Sequence, residues 1–421
     1  MIQRALYTSL LYGLLPLLPL RLAWRARKQP EYLQHVGERF GFYTTRPSKP
    51  IIWLHAVSVG ETRAAAPLIK LFQARNPQYQ ILLTHMTPTG RATSSELWGD
   101  AILRCYLPYD YPFAVRKFLR HFQPRLGILL ETELWPNLIS ICHEQNVPLA
   151  LINARLSERS ARGYGRFPAL TSDALEKLAL LAAQTDADGD RLQSLFSGQV
   201  SVMGNLKFDN EVPAEQVALG KKLRQQFGAN RPVWLAASTR DGEEKLLLET
   251  LVKIQTPNAL AVIVPRHPQR FNEVAELLKS NHIAFQRRSN DTAIAPTTRV
   301  VLGDSMGEMF GFYAASDVAF IGGSLLPFGG QNLIEACAVG TPVLIGPHTL
   351  NFAAATEQAI ACGAARRVAD SAEFAKEIDR LLADAGQRQA MSQAGLAFTA
   401  WRRGASERAY GLVSSLLERR A

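Results

Sequence analysis

Carboxylates follow two of the short apolar runs in this sequence. Glu61 ends the segment His55–Thr62, which comes after the apolar run 51–55 and begins a helix predicted over about 61–74. A carboxylate in a loop at the carboxyl end of a strand can act as a general base. At a helix N-terminus the macrodipole favours its ionised form. The same position also suits a residue that only starts the helix, and spacing alone leaves both interpretations open.

The second acidic loop lies directly after the apolar run 126–130. It reads Glu131-Thr-Glu133-Leu-Trp135-Pro-Asn137. Two carboxylates beside a Trp are costly to bury without a partner. The loop is therefore either part of a site or a capped helix start with Trp135 packed below it. No third acidic, His or Cys side chain lies nearby in the sequence, so we predict no metal.

A cation follows much later in the chain, within Gly204–Asp209. Lys207 in this segment could neutralise the charge of a phosphate or carboxylate. A solvated lysine in a linker is an equally good interpretation, so the spacing alone is a weak indication.

Four loops in the second half of the chain carry Arg, Ser, Thr and Gly, and each follows a predicted strand. A Gly-rich backbone that runs into a helix start, here predicted at about Gln331, makes an anion site of free N–H groups. Glu335, one turn further, is placed to accept hydrogen bonds from a ribose. A tight corner is the alternative reason for the glycines. Together the loops predict a site for a phosphate-bearing ligand. They are Ala237–Arg240, Pro265–Pro268, Gly303–Glu308 and Gly322–Glu335.

Short apolar runs alternate with longer helical patterns from residue 50 onward, which is typical of parallel sheets covered by helices. Two series predict two Rossmann-like domains that face a cleft, the layout of GT-B glycosyltransferases and of a few epimerases and phosphorylases. The polar stretch 205–232 is the predicted connector. Neither a GxGxxG after the first strand nor a P-loop motif occurs. The predicted strands are 51–55, 80–85, 126–130, 148–153, 179–183, 233–237, 260–264, 299–302, 318–321 and 343–345.

The N-terminus combines an uncharged apolar run, residues 5–20, with cations on both sides. No small-x-small site follows the run, which disfavours a cleaved signal peptide. Its sixteen residues, including Pro16 and Pro19, are fewer than the ~20 of a spanning helix. Three interpretations remain: a short signal anchor with the bulk of the chain cytoplasmic, a helix in the membrane interface, or a helix docked on the protein's own core.

Charge and composition favour an anionic membrane surface as partner. Of the formal net charge of +10, residues 1–50 contribute eight Lys/Arg against two Glu, or +6. No zinc-finger, basic-zipper or RNA-binding pattern occurs, so we predict no nucleic-acid partner. The four cysteines have no metal-ligand spacing and are predicted to be reduced packing residues.

Taken together, these motifs resemble those of the 3-deoxy-D-manno-octulosonic acid (Kdo) transferases, which add Kdo to the lipid A precursor. The resemblance runs in order through essentially the whole chain, and it includes the apolar N-terminus. It is carried by HAVSVGET (55–62), MTPTG (86–90), LPYD (107–110), ETELWPN (131–137), NAR (153–155), LKF (206–208), PRHP (265–268), GDSMGE (303–308), GGS (322–324), NLIEA (332–336) and GPH (346–348).

This resemblance implies a GT-B fold and an inverting, metal-independent transfer from CMP-Kdo to the glucosamine disaccharide of lipid IVA. Glu61 would be the general base, and Glu131 and Lys207 would stabilise the transition state. No cofactor is implied besides the donor substrate. Within 331–335, Gln331 stands where a His can occur and Leu-Ile stands where relatives have Pro-Leu. The residues implied to hold CMP are Pro265, Arg266, Met306, Gly307, Glu308, Asn332, Leu333, Ile334 and Glu335.

The implied organisation is a membrane-associated segment over 1–30, an acceptor-binding domain over 31–210 and a donor-binding domain over 211–421. The expected location is the inner membrane, with both domains on its cytoplasmic side. One rival function is another GT-B enzyme, such as a UDP-sugar 2-epimerase or a lipid-linked hexosyltransferase. The other is a membrane-docked protein that binds a nucleotide sugar without catalysis.

Overall fold

The computed structural model describes residues 2–27 and 29–418, and its chain divides into two compact units. The first comprises the residues up to Asn210 together with those from Arg402 onward, and the second comprises Glu211–Trp401. Each unit is built around a seven-stranded sheet in which every pairing is parallel.

The first unit has the strand order β3-β2-β1-β4-β5-β6-β7. Its strands are β1 Ile51–His55, β2 Gln80–His85, β3 Leu103–Tyr106, β4 Leu126–Leu130, β5 Leu149–Ala154, β6 Leu180–Ala183 and β7 Ser201–Val202. Its helices include α1 Ile2–Leu14, α2 Leu18–Ala26, α3 Val59–Arg75, α4 Pro88–Trp98, α5 Pro112–Phe122, α6 Pro136–Glu144, α7 Glu158–Tyr164, α8 Pro168–Glu176 and α9 Asp186–Gln193.

The second unit has the order β10-β11-β9-β8-β12-β13-β14. Its strands are β8 Val233–Thr239, β9 Leu260–Pro265, β10 Phe285–Arg287, β11 Val300–Leu302, β12 Val318–Ile321, β13 Val343–Ile345 and β14 Ala365–Arg367. Its helices are α10 Ala214–Phe227, α11 Glu243–Lys253, α12 Phe271–Ser280, α13 Met309–Ala314, α14 Ile334–Ala338, α15 Ala353–Ala361, α16 Ser371–Ala383 and α17 Ala385–Trp401.

All ten predicted strands are present within two residues of their expected ends. The four strands that sequence reasoning missed, β3, β7, β10 and β14, are the outer strands of the two sheets. A central parallel strand is covered on both faces and reads as a continuous apolar run, whereas an outer strand does not need to. The outer strands here are short and carry residues such as Arg104 and Gln286.

The last helix, α18 Ala405–Glu418, belongs to the first unit. Its apolar residues pack with those of α3 in one core cluster, and Glu407 bonds Arg75 at 2.7 and 2.9 Å. The expectation that 211–421 forms one domain is therefore wrong beyond Trp401. The chain returns to the first unit because the apolar face of α18 completes the core on the α3 side of the first sheet. The buried residues of α18 are Ala405, Ser406, Ala409, Val413 and Leu417.

The predicted connector 205–232 is also mostly structured. Residues 206–209 form a 3-10 turn of the first unit, and 214–227 form α10, which packs against α13 in the second. The buried side of α10 includes Gly220, where an added Cβ would lie 2.6 Å from the Cβ of Ala314. The polar composition of this stretch reflects a helix with one exposed side, not a linker.

The N-terminal segment is helical from Ile2 to Ala26 apart from a 3-10 turn over Leu15–Leu17. Pro16 and Pro19 do not break it, because each lies at a first-turn position where a helix needs no N–H donor. The helical segment has 25 residues and contains a stretch of 18 residues with a mean hydropathy of 1.3, so by length and composition it could cross a membrane. The helix extends beyond the sixteen-residue apolar run, so a spanning signal anchor stays open beside a helix in the membrane interface.

Helix α1 is also held along the first unit by polar bonds. Tyr7 donates to Asp110 at 3.0 Å, Thr8 donates to Asn137 at 2.9 Å, and Tyr111 donates to the Leu11 carbonyl at 2.7 Å. None of its described residues is buried. The helix is thus docked on the unit, but its apolar side chains stay exposed and form no part of the core.

Three cysteines, Cys105, Cys142 and Cys337, are buried and free as expected. Cys362 is free but exposed, so the prediction that it is a packing residue is wrong.

Candidate active site

In both units the loops that carry polar side chains follow strands that are neighbours in the sheet. In the first unit these strands are β2, β1, β4 and β5, and in the second they are β11, β9, β8 and β12. The order of strands reverses between β1 and β4 and between β8 and β12, and ligands of open parallel sheets bind at such switch points. Glu61 and Glu131 follow β1 and β4 and so flank the switch point of the first unit.

Glu61 lies in the first turn of α3 and is held by the loop that precedes the helix. Its carboxylate accepts the Val57 N–H at 2.6 Å and the Ser58 hydroxyl at 3.0 Å. The Ser58 side chain is in turn the N-cap of the helix. This arrangement resembles a capping box. The helix-start interpretation of Glu61 is confirmed, and the same bonds fix the direction of the carboxylate, so a role as general base stays a prediction.

The ionisation of Glu61 differs from the sequence expectation. Its pKa is raised from the ordinary 4.5 to about 8. Burial is the main cause, the charges of Glu131 and Glu133 add to it, and the bonds from Val57 and Ser58 act against it. The helix dipole was expected to keep this carboxylate ionised. Desolvation and the charges of two neighbouring carboxylates outweigh the helix dipole. Both effects disfavour the ionised form of Glu61 in a largely buried site.

We expect the pH dependence of activity to follow the ionisation of the Glu61 carboxylate. If Glu61 must lose its proton to act as a base, kcat/KM rises with pH and levels off above an apparent pKa of about 8. The measurement is kcat/KM at saturating donor across roughly pH 6 to 9. A profile that is flat over this range would contradict the assignment. The Glu61→Asp variant, which keeps a carboxylate, should retain a sloping limb.

Glu131 and Lys207 form an ion pair that joins residues 76 positions apart. The Lys207 Nζ donates to Glu131 Oε1 at 2.7 Å, and both side chains are largely buried, at 14% and 19% exposed. Burial alone would raise the pKa of Glu131, but the Lys207 charge and hydrogen bond lower it overall. Glu131 itself sits at φ 61°, in the left-handed region that a residue with a Cβ rarely adopts. Strain of this kind is concentrated at functional sites.

Glu133 is the third carboxylate of this cluster. It accepts the indole N–H of Trp135 at 2.6 Å, and burial raises its pKa. Trp135 packs against the first unit's core and meets His55 edge to face at 6.5 Å. Trp135 therefore packs as the helix-start interpretation proposed, although no side chain caps α6. The role of this loop in a site stays a prediction.

Three residues that were not predicted as site residues hold Lys207 in place. Asn153, at φ 53° in the last two residues of β5, accepts the Leu206 N–H at 3.1 Å. Gln184 donates to the Asn153 carbonyl at 2.9 Å and accepts from Asn205 at 3.0 Å. Asn205 caps the turn that carries Lys207. The signal in the sequence was an Asn directly at a strand end, since Asn tolerates the left-handed conformation.

In the second unit, Arg266 follows β9 and is joined to the Gly-rich segment. Its Nε donates to Gln331 at 3.2 Å, and its N–H bonds the Thr239 carbonyl at 3.0 Å. Burial lowers its pKa, against the effect of the Glu335 carboxylate. Asn332 donates to Glu335 at 3.0 Å. The structure thus brings Arg266, Gln331, Asn332 and Glu335 together in one group.

The remaining residues predicted to hold CMP are placed differently. Pro265 is the last residue of β9, and Leu333 and Ile334 are buried, which leaves only their backbone groups for a ligand. Met306 is 62% exposed and Gly307 has φ 78°. Their loop follows β11, which is a neighbour of β9.

Glu308, the last of this set, is engaged within its own unit. Its carboxylate accepts from Arg288 at 3.1 Å and from the Ser305 hydroxyl at 2.5 Å.

The backbone anion site predicted in the Gly-rich segment is partly filled by the protein. The carboxylate of Glu243 accepts the N–H groups of Gly323, Ser324 and Leu325 at 2.6, 3.0 and 3.1 Å. The helix after the segment starts at Ile334, not at about Gln331, and is only five residues long. The N–H groups of residues 323–325 are therefore not free for a ligand, because a buried carboxylate of the same chain accepts their hydrogen bonds.

We expect Glu243→Ala to destabilise the second unit. Glu243 is fully buried and also accepts the Arg240 N–H at 2.8 Å, so the substitution leaves several buried donors unpaired. The expected loss is about 3 kcal/mol or more in the free energy of unfolding. Denaturant unfolding measures it, with Glu249→Ala on the exposed side of the same helix as control. A loss no larger than that of the control would show that the loop does not depend on Glu243.

Among the described residues, no group of three or more His, Cys, Asp or Glu side chains is arranged to hold a metal ion. Glu61, Glu131 and Glu133 influence one another's pKa but are held by N–H, O–H and Lys207 partners.

Comparison with solved structures defines the class. The crystal structure of Anabaena HepE in complex with UDP covers 88% of this chain and 100% of its own, with a TM-score of 0.61 and 17% identity. A glycosyltransferase from Rickettsia africae also covers 88% and 100%, with a TM-score of 0.62 and 14% identity. At such identities the likeness shows the fold alone. The chain has the GT-B fold.

Sequence relatives define the family. A family model described as 3-deoxy-D-manno-octulosonic-acid transferase (kdotransferase) matches residues 34–210. The chain is 44% identical to the 3-deoxy-D-manno-octulosonic acid transferase of Bordetella pertussis over 96% of this chain and 97% of the relative. It is 38% identical to that of Haemophilus influenzae over 99% of each. The chain belongs to the 3-deoxy-D-manno-octulosonic acid transferase family of glycosyltransferases, which confirms the resemblance.

Proposed function

We propose that this chain transfers Kdo from CMP-Kdo onto the glucosamine disaccharide of a lipid A precursor, lipid IVA, in lipopolysaccharide biosynthesis. Membership of the Kdo transferase family supports the sugar and the reaction type. The observation that carries the mechanism is the Glu61 carboxylate, which is fixed at the switch point of the first sheet with a pKa of about 8.

In the proposed reaction Glu61 is the general base. It takes the proton of an acceptor hydroxyl as the hydroxyl oxygen bonds the anomeric carbon of Kdo and the bond from that carbon to the CMP phosphate breaks. A single displacement of this kind inverts the configuration of the anomeric carbon. A base whose pKa lies near the working pH is efficient both as acceptor and as donor of the proton.

Two sets of residues, one in each unit, are proposed to stabilise the charges of the transition state. Lys207, oriented by its bond to Glu131, would stabilise negative charge near the acceptor side, such as the Kdo carboxylate. Arg266, with Asn332, Glu335 and the backbone of Met306–Glu308 and Leu333–Ile334, would bind CMP and the charge that develops on its phosphate. The proposed reaction uses no metal and no cofactor.

We further propose that the N-terminal segment places the chain on the cytoplasmic face of the inner membrane. Its apolar side chains are exposed, including Leu6 at 66%, Leu20 at 68% and Trp24 at 66%. The bonds of Tyr7 and Thr8 to the first unit favour a segment that lies in the interface, because α1 could not cross the membrane while those bonds remain. The basic residues that follow would contact anionic lipid.

Purified protein incubated with CMP-Kdo and lipid IVA in detergent tests the proposal, with mass spectrometry of the lipid. A mass gain of one or more Kdo units is expected. No gain, with binding of CMP intact, would leave a protein that binds a nucleotide sugar without transferring it. A gain that is lost on treatment with a chelator would contradict the metal-independent mechanism.

A further inference from the structure

An open, mainly apolar cavity of about 600 Å³ lies in the first unit, beside the acidic loop. Its size is within the range of ligand pockets, roughly 300–1,000 Å³. Leu6 and Leu10 of α1 line it, together with Tyr164, Phe167 and other residues of 163–174. The cavity is built entirely from residues of one unit.

One loop adjoins both the cavity and the candidate active site. Leu134 and Pro136 line it, and they belong to the same loop as Glu131 and Glu133. Glu133 is bonded to Trp135, which lies between these two lining residues. A ligand that reaches from the cavity along this loop would place its polar end near the carboxylates and its apolar end against α1.

The other edge of the cavity is apolar and exposed. Leu6 and Leu10 are 66% and 63% exposed although they line the cavity, and Phe167 is 60% exposed. Leu6 and Leu10 belong to the helical segment whose length and composition suit a membrane. Exposed apolar side chains grouped around a pocket mark a binding surface. An apolar chain could therefore enter the cavity from the membrane side.

The surroundings of the cavity add positive charge. Helix α7, whose end lines the cavity at Gly163 and Tyr164, carries exposed Arg159 and Arg162, and Arg166 follows it. Phosphate groups are suitable partners for arginines. An apolar pocket beside arginines fits a lipid that has both acyl chains and phosphates, as the proposed acceptor has.

We propose that this cavity binds one acyl chain of the lipid acceptor and so sets the acyl-chain preference of the enzyme. The proposal rests on the proposed function for the identity of the lipid. The cavity orients the acceptor disaccharide toward the Glu131–Trp135 loop, while the Arg159, Arg162 and Arg166 side chains face its phosphates. Leu6 and Leu10 are then specificity residues for the chain, not catalytic residues.

A matched pair of double variants tests this. Leu6→Ser with Leu10→Ser removes apolar groups from the cavity wall, and Leu17→Ser with Leu20→Ser removes similarly exposed leucines, 55% and 68%, that do not line it. Initial rates are measured in detergent with CMP-Kdo and acceptors of one disaccharide bearing long, intermediate or short acyl chains. Both pairs remove a similar exposed apolar area from the segment. Any weaker adsorption to micelles should therefore affect the two double variants alike.

The expected result is a KM for the long-chain acceptor that rises roughly tenfold in the Leu6/Leu10 variant, with little change in kcat and in the KM of the short-chain acceptor. The Leu17/Leu20 variant should keep the chain-length dependence of the wild type. Equal effects of the two double variants would overturn the proposal and indicate adsorption alone. A wild-type KM that does not vary with chain length would also overturn it.

A second readout does not depend on transfer. A long-chain fatty acid with a diazirine at its tail is photolysed with the full-length wild-type protein, and labelled peptides are identified by mass spectrometry. Label within 163–174 or on α1 is expected, and it should fall in the Leu6/Leu10 variant only. Wild-type protein that is labelled there but transfers to no acceptor would refute the proposed function and leave the apolar-chain site standing. Label found only outside residues 163–174 and α1 would refute the proposed acyl-chain site.

Discussion

The Glu61→Gln variant is expected to lose transfer by roughly 10²–10⁴-fold in kcat while CMP binding stays near that of the wild type. Glutamine keeps the size of the side chain, and its oxygen can still accept one of the bonds from Val57 and Ser58. What the variant loses is a group that can take a proton. Transfer is measured by mass spectrometry of the lipid product, and CMP binding by calorimetry.

The same variant should be at least as stable as the wild type at alkaline pH. Because the pKa of Glu61 is about 8 in the folded chain against an ordinary 4.5, the folded state holds a proton that the unfolded state has released between these values. The free energy of unfolding from this group therefore falls as pH rises from about 4.5 to about 8. The glutamine of the variant does not titrate, so the Tm difference in favour of the variant should grow over this range.

Glu96→Gln on α4 is the control, because Glu96 is 64% exposed and lies outside the site. It should retain full transfer and an unchanged pH dependence of Tm. Loss of transfer, CMP binding and Tm together in Glu61→Gln would instead show that Glu61 only starts the helix. That outcome would remove the general base from the mechanism.

The Lys207→Met variant is expected to lose roughly 10²–10³-fold in kcat with a smaller change in KM for the donor. Methionine keeps much of the length of the lysine chain but removes the charge that is 2.7 Å from Glu131. The carboxylate of Glu131, 19% exposed, is then left without its cation, and its pKa should rise. Single-turnover rates separate this effect on the chemical step from product release.

Lys222→Met serves as the matched control for Lys207→Met. Lys222 also bonds a carboxylate at 2.7 Å, that of Asp291, but the two side chains are 52% and 49% exposed. Solvent screens such a pair, so its loss should change activity and stability little. A kcat for Lys207→Met within a few-fold of the wild type would rule out Lys207 as a transition-state stabiliser. Partial rescue in Lys207→Met with Glu131→Gln would show that the unpaired carboxylate is part of the damage.

The family and the strands of both sheet centres could be predicted from the sequence because both depend on local signals. A central parallel strand such as β4 is covered on both faces, so its residues form a continuous apolar run that ends where the next loop begins. That is why Glu61 and Glu131 could be selected as strand-end residues, and why Arg266 could be placed beside the Gly-rich segment. The outer strands escaped prediction because they are short and need not be apolar along their whole length. The place of α18 escaped prediction because its partner α3 lies far away in the chain.

The sequence by itself determined which chemical groups are present. They are the carboxylates after β1 and β4, the lysine at position 207 and the Gly-rich segment after β12. Only the tertiary structure decided the state of these groups. Burial and two neighbouring carboxylates raise the pKa of Glu61, and Lys207 pairs with Glu131. Glu243 occupies N–H groups that composition alone suggested were free. Ionisation and pairing depend on desolvation and on distances between residues remote in sequence, and neither is encoded in local spacing.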